Sequence, residues 1–126
     1  MVQRYLYIMF GGALGSAARF WVSTTVAGRM GTRFPFGTLA TNITACFILG
    51  LSLEFLNHHA DINPSWRFMV PIGFVGAYST FSTFEWETFS NLTHGTYWIA
   101  ILYVAVSLVS GLIAVALGAV LAKALV

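Results

Sequence analysis

Charge is what this chain has least of. Six basic and four acidic residues make up 8% of its 126 residues, where soluble domains carry roughly 25%. With 58% hydrophobic residues and a mean hydropathy of +0.80, a water-soluble surface cannot be assembled from it. The single cysteine, Cys46, excludes a disulfide framework within one chain and reads as a small buried apolar residue; no Cys/His spacing suggests a metal site. The basic residues form no run, so the pI of about 9.0 reflects scarcity of charge, and no nucleic-acid or anionic-lipid patch is indicated. No Ser/His/Asp set, paired intramembrane carboxylates or HExxH can be assembled, which argues against an enzyme. Soluble linkers and low-complexity segments are missing too. A removable signal peptide would be followed by a soluble chain; here the apolar segments never stop, so the first is expected to be a permanent span.

What is there is four apolar stretches, each long enough for a spanning helix, which needs about 20 residues. They predict helices near 4–27, 35–57, 66–90 and 97–124, in one transmembrane domain over residues 1–126. The first break, AGRMGTRFPFG, holds Arg29, Arg33 and Pro35; the second, NHHADINPS, ends with Asn63 before Pro64, a helix cap followed by a first-turn proline. The third, NLTHGT, is the shortest and makes the last two helices an antiparallel hairpin; its Asn91-Leu92-Thr93 sequon carries little weight. Four such helices have hardly any interior of their own, so a polar pathway is expected between chains. Arg4, Arg67 and Lys123 fall on one side of the membrane and Arg29 and Arg33 on the other. That is almost no positive-inside bias. Either the chain inserts both ways up and pairs with an inverted copy, or another factor settles a weak preference.

The polar residues inside these stretches carry the chemistry. In GGALGSAARFW, Gly11 and Gly15 form a GxxxG pair that lets two helix backbones approach closely. Arg19 lies well inside the same stretch, where a cation faces protein or water, or snorkels to the interface. Near a vestibule it would attract anions. Thr38, Thr41, Asn42 and Thr44 interrupt the second stretch. A carboxamide facing lipid leaves its donors and acceptor unsatisfied, so Asn42 either bonds another helix or donates to a passing anion. In the third, Pro71, Gly73 and Gly76 predict a break near the bilayer middle, whose exposed carbonyls suit a small hard cation; a kink mended by neighbours is the alternative. Beyond it Ser79 and Ser82, Thr80 and Thr83, and Phe81 and Phe84 recur three apart on adjacent helix lines. A ring edge is electropositive and contacts an anion without a fixed charge, and conduction needs binding weak enough to leave. Packing is the competing role for both rings. The fourth stretch aligns Tyr103, Ser107 and Ser110, with Gly111, Ala114 and Gly118 as a small-residue stripe. Serines can hide their hydroxyls on a carbonyl one turn back, whereas a buried Tyr103 needs a partner. Glu54, Glu85, Glu87, Asp61 and the three histidines are expected to be solvated end or loop groups.

The stretches GGALGSAARF, GTLATNITACFILG and GFVGAYSTFSTF resemble the three signatures of the Fluc fluoride channels, also called CrcB proteins, and the resemblance spans the whole chain. It implies an all-α membrane protein with four transmembrane helices per subunit, the third broken, assembled in the lipid bilayer as an antiparallel dual-topology homodimer. It further implies passive, chloride-rejecting export of fluoride ion across a bacterial inner membrane, relieving fluoride toxicity, through pores along the dimer interface. By motif, Asn42 is the pore asparagine and Phe81 and Phe84 the pore rings, with Thr80, Ser82 and Thr83 on the polar track. Tyr103 and Ser107 match the fourth-helix lining, and Arg19 the arginine at the pore mouth. The family's structural Na⁺ would be held by the backbone carbonyls of Gly76 and Ser79, the latter often threonine in the family. The main rival, a small dual-topology multidrug or guanidinium exporter, needs a buried carboxylate, typically in the first helix; that helix holds Arg19 and no acid. A non-transporting assembly subunit is a second rival.

Overall fold

Where the sequence is apolar and free of breakers, the chain is helical, and it leaves the helix where glycine, proline or local side-chain competition makes leaving favourable. The computed structural model describes residues 1–126 and contains no strand. Helix α1, Val2–Met30, ends at Gly31, whose φ of 83° lies in the left-handed region that glycine enters without penalty. Helix α2, Phe36–His58, starts directly after Pro35. Asn63 and Pro64 then open α3, Ser65–Arg67, with the Asn63 Oδ1 accepting from the Ser65 N–H at 2.9 Å. A π-helical segment, Phe68–Val75, runs on into α4, Gly76–Tyr78; Ser79 and Thr80 are extended; α5 is Phe81–Thr93. After Gly95, also left-handed at φ 78°, α6 runs Tyr97–Ala124.

Helices α2 and α6 are each long and apolar enough to cross a membrane, and they pack against each other over much of their length. The contact is close because of glycine: a Cβ on Gly50 would strike the Val115 carbonyl oxygen, and one on Gly118 the Phe47 carbonyl oxygen. Gly11 and Gly15 act in the same way on α1, where a Cβ would land on the carbonyl oxygens of Met69 and Phe74 in the π segment. The GxxxG pair thus serves packing within the chain.

Pro71 does not interrupt the third helical stretch. It is buried in the π segment, where the wider turn accommodates a residue lacking an N–H without ending the helix. The interruption expected near Pro71 is displaced to Ser79 and Thr80. Only 21 of the 126 residues are buried, in small clusters such as Leu39–Phe84–Tyr103 and Ala45–Val75–Tyr78. One copy of the chain therefore has little interior of its own.

Candidate functional site

The site is organised by the two extended residues. Ser79 (φ −75°, ψ 157°) and Thr80 (φ −148°, ψ 112°) leave the helix because side chains supply the hydrogen bonds that the helix would have supplied. The Asn42 Oδ1 accepts from the Thr80 N–H at 2.8 Å, and the Asn42 Nδ2 donates to the Thr80 carbonyl at 3.1 Å. One carboxamide from α2 thereby satisfies both backbone groups of a residue that is 8% exposed. The Thr80 hydroxyl caps α5, accepting from the Thr83 N–H at 3.3 Å and donating to the Thr83 hydroxyl at 3.0 Å.

These diversions have a direct electrostatic result. In an unbroken helix the Thr80 N–H would bond the Gly76 carbonyl and the Thr83 N–H the Ser79 carbonyl. Both donors are bonded to side chains instead. The Ser79 carbonyl accepts no hydrogen bond, and the Gly76 carbonyl has lost its helical donor. Gly76 and Ser79, singled out by motif, thus present oxygens of the chemistry a hard cation takes.

The rings occupy different environments. Phe84 is 7% exposed, packed with Leu39 and against Tyr103 at 4.9 Å between centroids, whereas Phe81 is 74% exposed. Their centroids are 6.0 Å apart with planes inclined by 43°. Ser82 and Thr83 are exposed beside Phe81.

Arg19 lines a cavity of about 140 Å³ together with Ser16, Thr38, Thr41, Thr80 and Thr83. It forms no ion pair; the chain's carboxylate contacts to basic side chains are at Glu54, with Lys123 at 3.7 Å and the His58 ring nitrogen at 3.6 Å. An unpaired guanidinium thus faces a hydroxyl-rich hollow. Thr38 and Thr83 also line a larger cavity of about 500 Å³ that contains Arg33 and Glu87. The two hollows share Ser23, Thr38 and Thr83 in their walls, and Thr80 lines the smaller one.

Glu87 departs from the solvated end group expected of it. It is half-buried, with the Tyr103 hydroxyl donating to Oε2 at 2.6 Å and the Thr38 hydroxyl donating to Oε1 at 2.7 Å. Tyr103 is fully buried, and this carboxylate is the partner its hydroxyl requires. A tyrosine and a threonine in otherwise apolar stretches signal that a buried acceptor exists, and the fold selects Glu87 for it. Of the α6 serines, Ser110 bonds the Val106 carbonyl one turn back, while the Ser107 hydroxyl is buried without a partner. Its hydrogen is therefore committed to no group of the single chain.

Comparison with known proteins bears on what such a constellation does. Residues 6–119 match the family model described as CrcB-like protein, Camphor Resistance (CrcB). The chain is 49% identical, over 98% of its length and 99% of the relative's, to the fluoride-specific ion channel FluC of Acidobacterium capsulatum. It is 42% identical to the fluoride-specific ion channel FluC of Solibacter usitatus, over 96% of this chain and 99% of that protein. With the protein of the same description from Citrifermentans bemidjiense it shares 44% identity over 98% of its length and all of the relative's.

Proposed function

The chain belongs to the CrcB family, and from that membership we propose that it is a fluoride-specific channel, a transporter and not an enzyme, letting F⁻ leave a bacterial cell down its gradient. The working unit is a homodimer of oppositely inserted copies in the inner membrane, each crossing it four times, with the third crossing interrupted at Ser79 and Thr80. The observation that carries the dimer is the outer face of α5, where Phe81, Ser82 and Thr83 are exposed on a single copy. Facing hydrocarbon, the Ser82 hydroxyl would have no partner and the Thr83 hydroxyl, which accepts from Thr80, would keep an unused hydrogen. That face must meet protein or water, and a second copy with a pore along the seam supplies both. The near balance of basic residues on the two sides of the membrane supports insertion in both directions.

Fluoride gives up strongly bound water on entering a narrow pore, so the wall has to return hydrogen bonds without trapping the ion. Arg19, unpaired beside the inner hollow, raises the anion's local concentration at the entrance. Along the track Ser82 and Thr83 have hydroxyl hydrogens to give, whereas those of Thr80 and Tyr103 are committed to Thr83 and Glu87, so these two residues shape the wall and Ser107 on the facing helix holds an uncommitted hydroxyl behind it. The second hydrogen on the Asn42 Nδ2, beyond the one given to Thr80, is also available. The edges of Phe81 and Phe84 add attraction without a fixed charge.

The carbonyls of Gly76 and Ser79 fit a structural Na⁺ at the dimer axis. Their helical donors are diverted by Asn42 and Thr80, and uncharged oxygens suit a hard monovalent cation. Bound there, the ion would compensate the negative ends of these peptide dipoles.

Purified protein in fluoride-loaded liposomes tests the reading. Rapid fluoride efflux without a proton gradient, with chloride retained, is the expected result; proton-driven cation exchange, or no flux of either halide, would overturn it.

A further inference from the structure

Two residues along α2 from Asn42, the Thr44 hydroxyl lies 2.8 Å from the hydroxyl of Tyr78. Thr44 has one hydrogen to give, and carbonyls one turn back receive it: Ala40 O at 2.8 Å and Thr41 O at 3.1 Å. Tyr78 is therefore the donor to Thr44. Tyr78 is 5% exposed, its ring stacked on Phe74 at 5.5 Å between centroids and 14° between planes. It is the last helical residue before Ser79, just as Thr80 is the last residue before the helix resumes. Helix α2 thus grips the extended segment on both sides, Thr44 on Tyr78 and Asn42 on Thr80.

We propose that Tyr78 and Thr44 are positioning residues, a second pin that works with the Asn42 contact to hold the Gly76 and Ser79 carbonyls in their freed orientation. With one pin the segment can pivot about Thr80; with two, its position relative to α2 is defined. The consequence for ion flux rests on the channel reading above, whereas the pin itself does not.

Tyr78→Phe removes one oxygen and keeps the ring on Phe74, Thr44→Val removes the hydroxyl at constant shape, and Thr44→Ser retains it. Amide hydrogen exchange in the liposome-embedded protein reads the pin at Ser79 and Thr80. Losing one hydrogen bond is expected to speed exchange there about fivefold in Tyr78→Phe and in Thr44→Val. The double variant should be no faster than either single, because both changes remove the same bond, and Thr44→Ser should match the parent. Fluoride efflux from the same vesicles should fall with the exchange change while melting of the assembly moves little. Unaltered exchange at Ser79 and Thr80, or effects that multiply in the double variant, would overturn the pin. If the parent protein itself passes no fluoride, the channel reading fails while the exchange measurements still decide the pin.

Discussion

Asn42→Leu keeps the branched outline of the side chain and deletes both bonds to Thr80, the 2.8 Å acceptance and the 3.1 Å donation. Thr80 is too buried for water to replace them. Each stranded backbone group costs about 1–3 kcal/mol, so the pair costs about 2–6 kcal/mol if nothing moves. The chain has an escape, since the Thr80 N–H can return to the Gly76 carbonyl and carry the helix across the gap. Recovering one bond limits the net loss to about 1–3 kcal/mol. Healing the gap also withdraws the Gly76 carbonyl and shifts the track, so flux should suffer more than stability. A barrier raised by only 1.4 kcal/mol cuts a rate about tenfold, and fluoride efflux below about a tenth of the parent is expected. Asn42→Asp separates the two bonds: its carboxylate still accepts from the Thr80 N–H but turns a second oxygen toward the Thr80 carbonyl and puts a negative charge on an anion route. Thr80 amide protection should then survive while efflux is lost. A fluoride electrode on vesicle suspensions reads the flux, and amide exchange reads Thr80. Parental efflux together with parental Thr80 protection in Asn42→Leu would refute the reasoning.

Phe81→Ile and Phe84→Ile should both lower fluoride efflux strongly, yet only Phe84→Ile should lower the melting temperature of the assembly appreciably within each subunit's own packing, because Phe84 is packed with Leu39 and Tyr103 while Phe81 stands outside the subunit; unchanged efflux in both variants would count against the ring-edge assignment. Gly15→Ala places a methyl group on the Phe74 carbonyl and should destabilise by about 1–3 kcal/mol, read by thermal melting in detergent, with a wild-type melt contradicting the close α1 packing. Single cysteines placed in the loops after α1 and after α2, in a Cys46→Ala background, should each be labelled from both sides of the membrane in comparable amounts; labelling from one side only would contradict insertion in both orientations.

The parts of the site that were legible in the sequence were those whose cause is local or compositional. Asn42 was marked by the cost of an amide in lipid, the Thr80 and Phe81 region by a three-residue repeat, and Arg19 by its depth in an apolar stretch. What these residues do to one another was not legible. Asn42 and Thr80 are 38 positions apart and Thr38 and Glu87 are 49 apart; no local rule pairs them. Pro71 shows the same limit: proline argues for a break, yet a π segment packed closely on the α1 glycines carries the helix through it.

The sequence by itself determined that the chain is helical and apolar enough for a membrane, where its turns come, and which small residues permit close contact, because each of these follows from hydropathy, φ preference or side-chain size within a few residues. Only the tertiary structure decided that the helix opens at Ser79 and Thr80, that Glu87 is held by Tyr103 and Thr38, and that Ser107 keeps a free hydroxyl. A hydrogen bond is directional and short, and whether a donor has a partner depends on which helix face is brought opposite it.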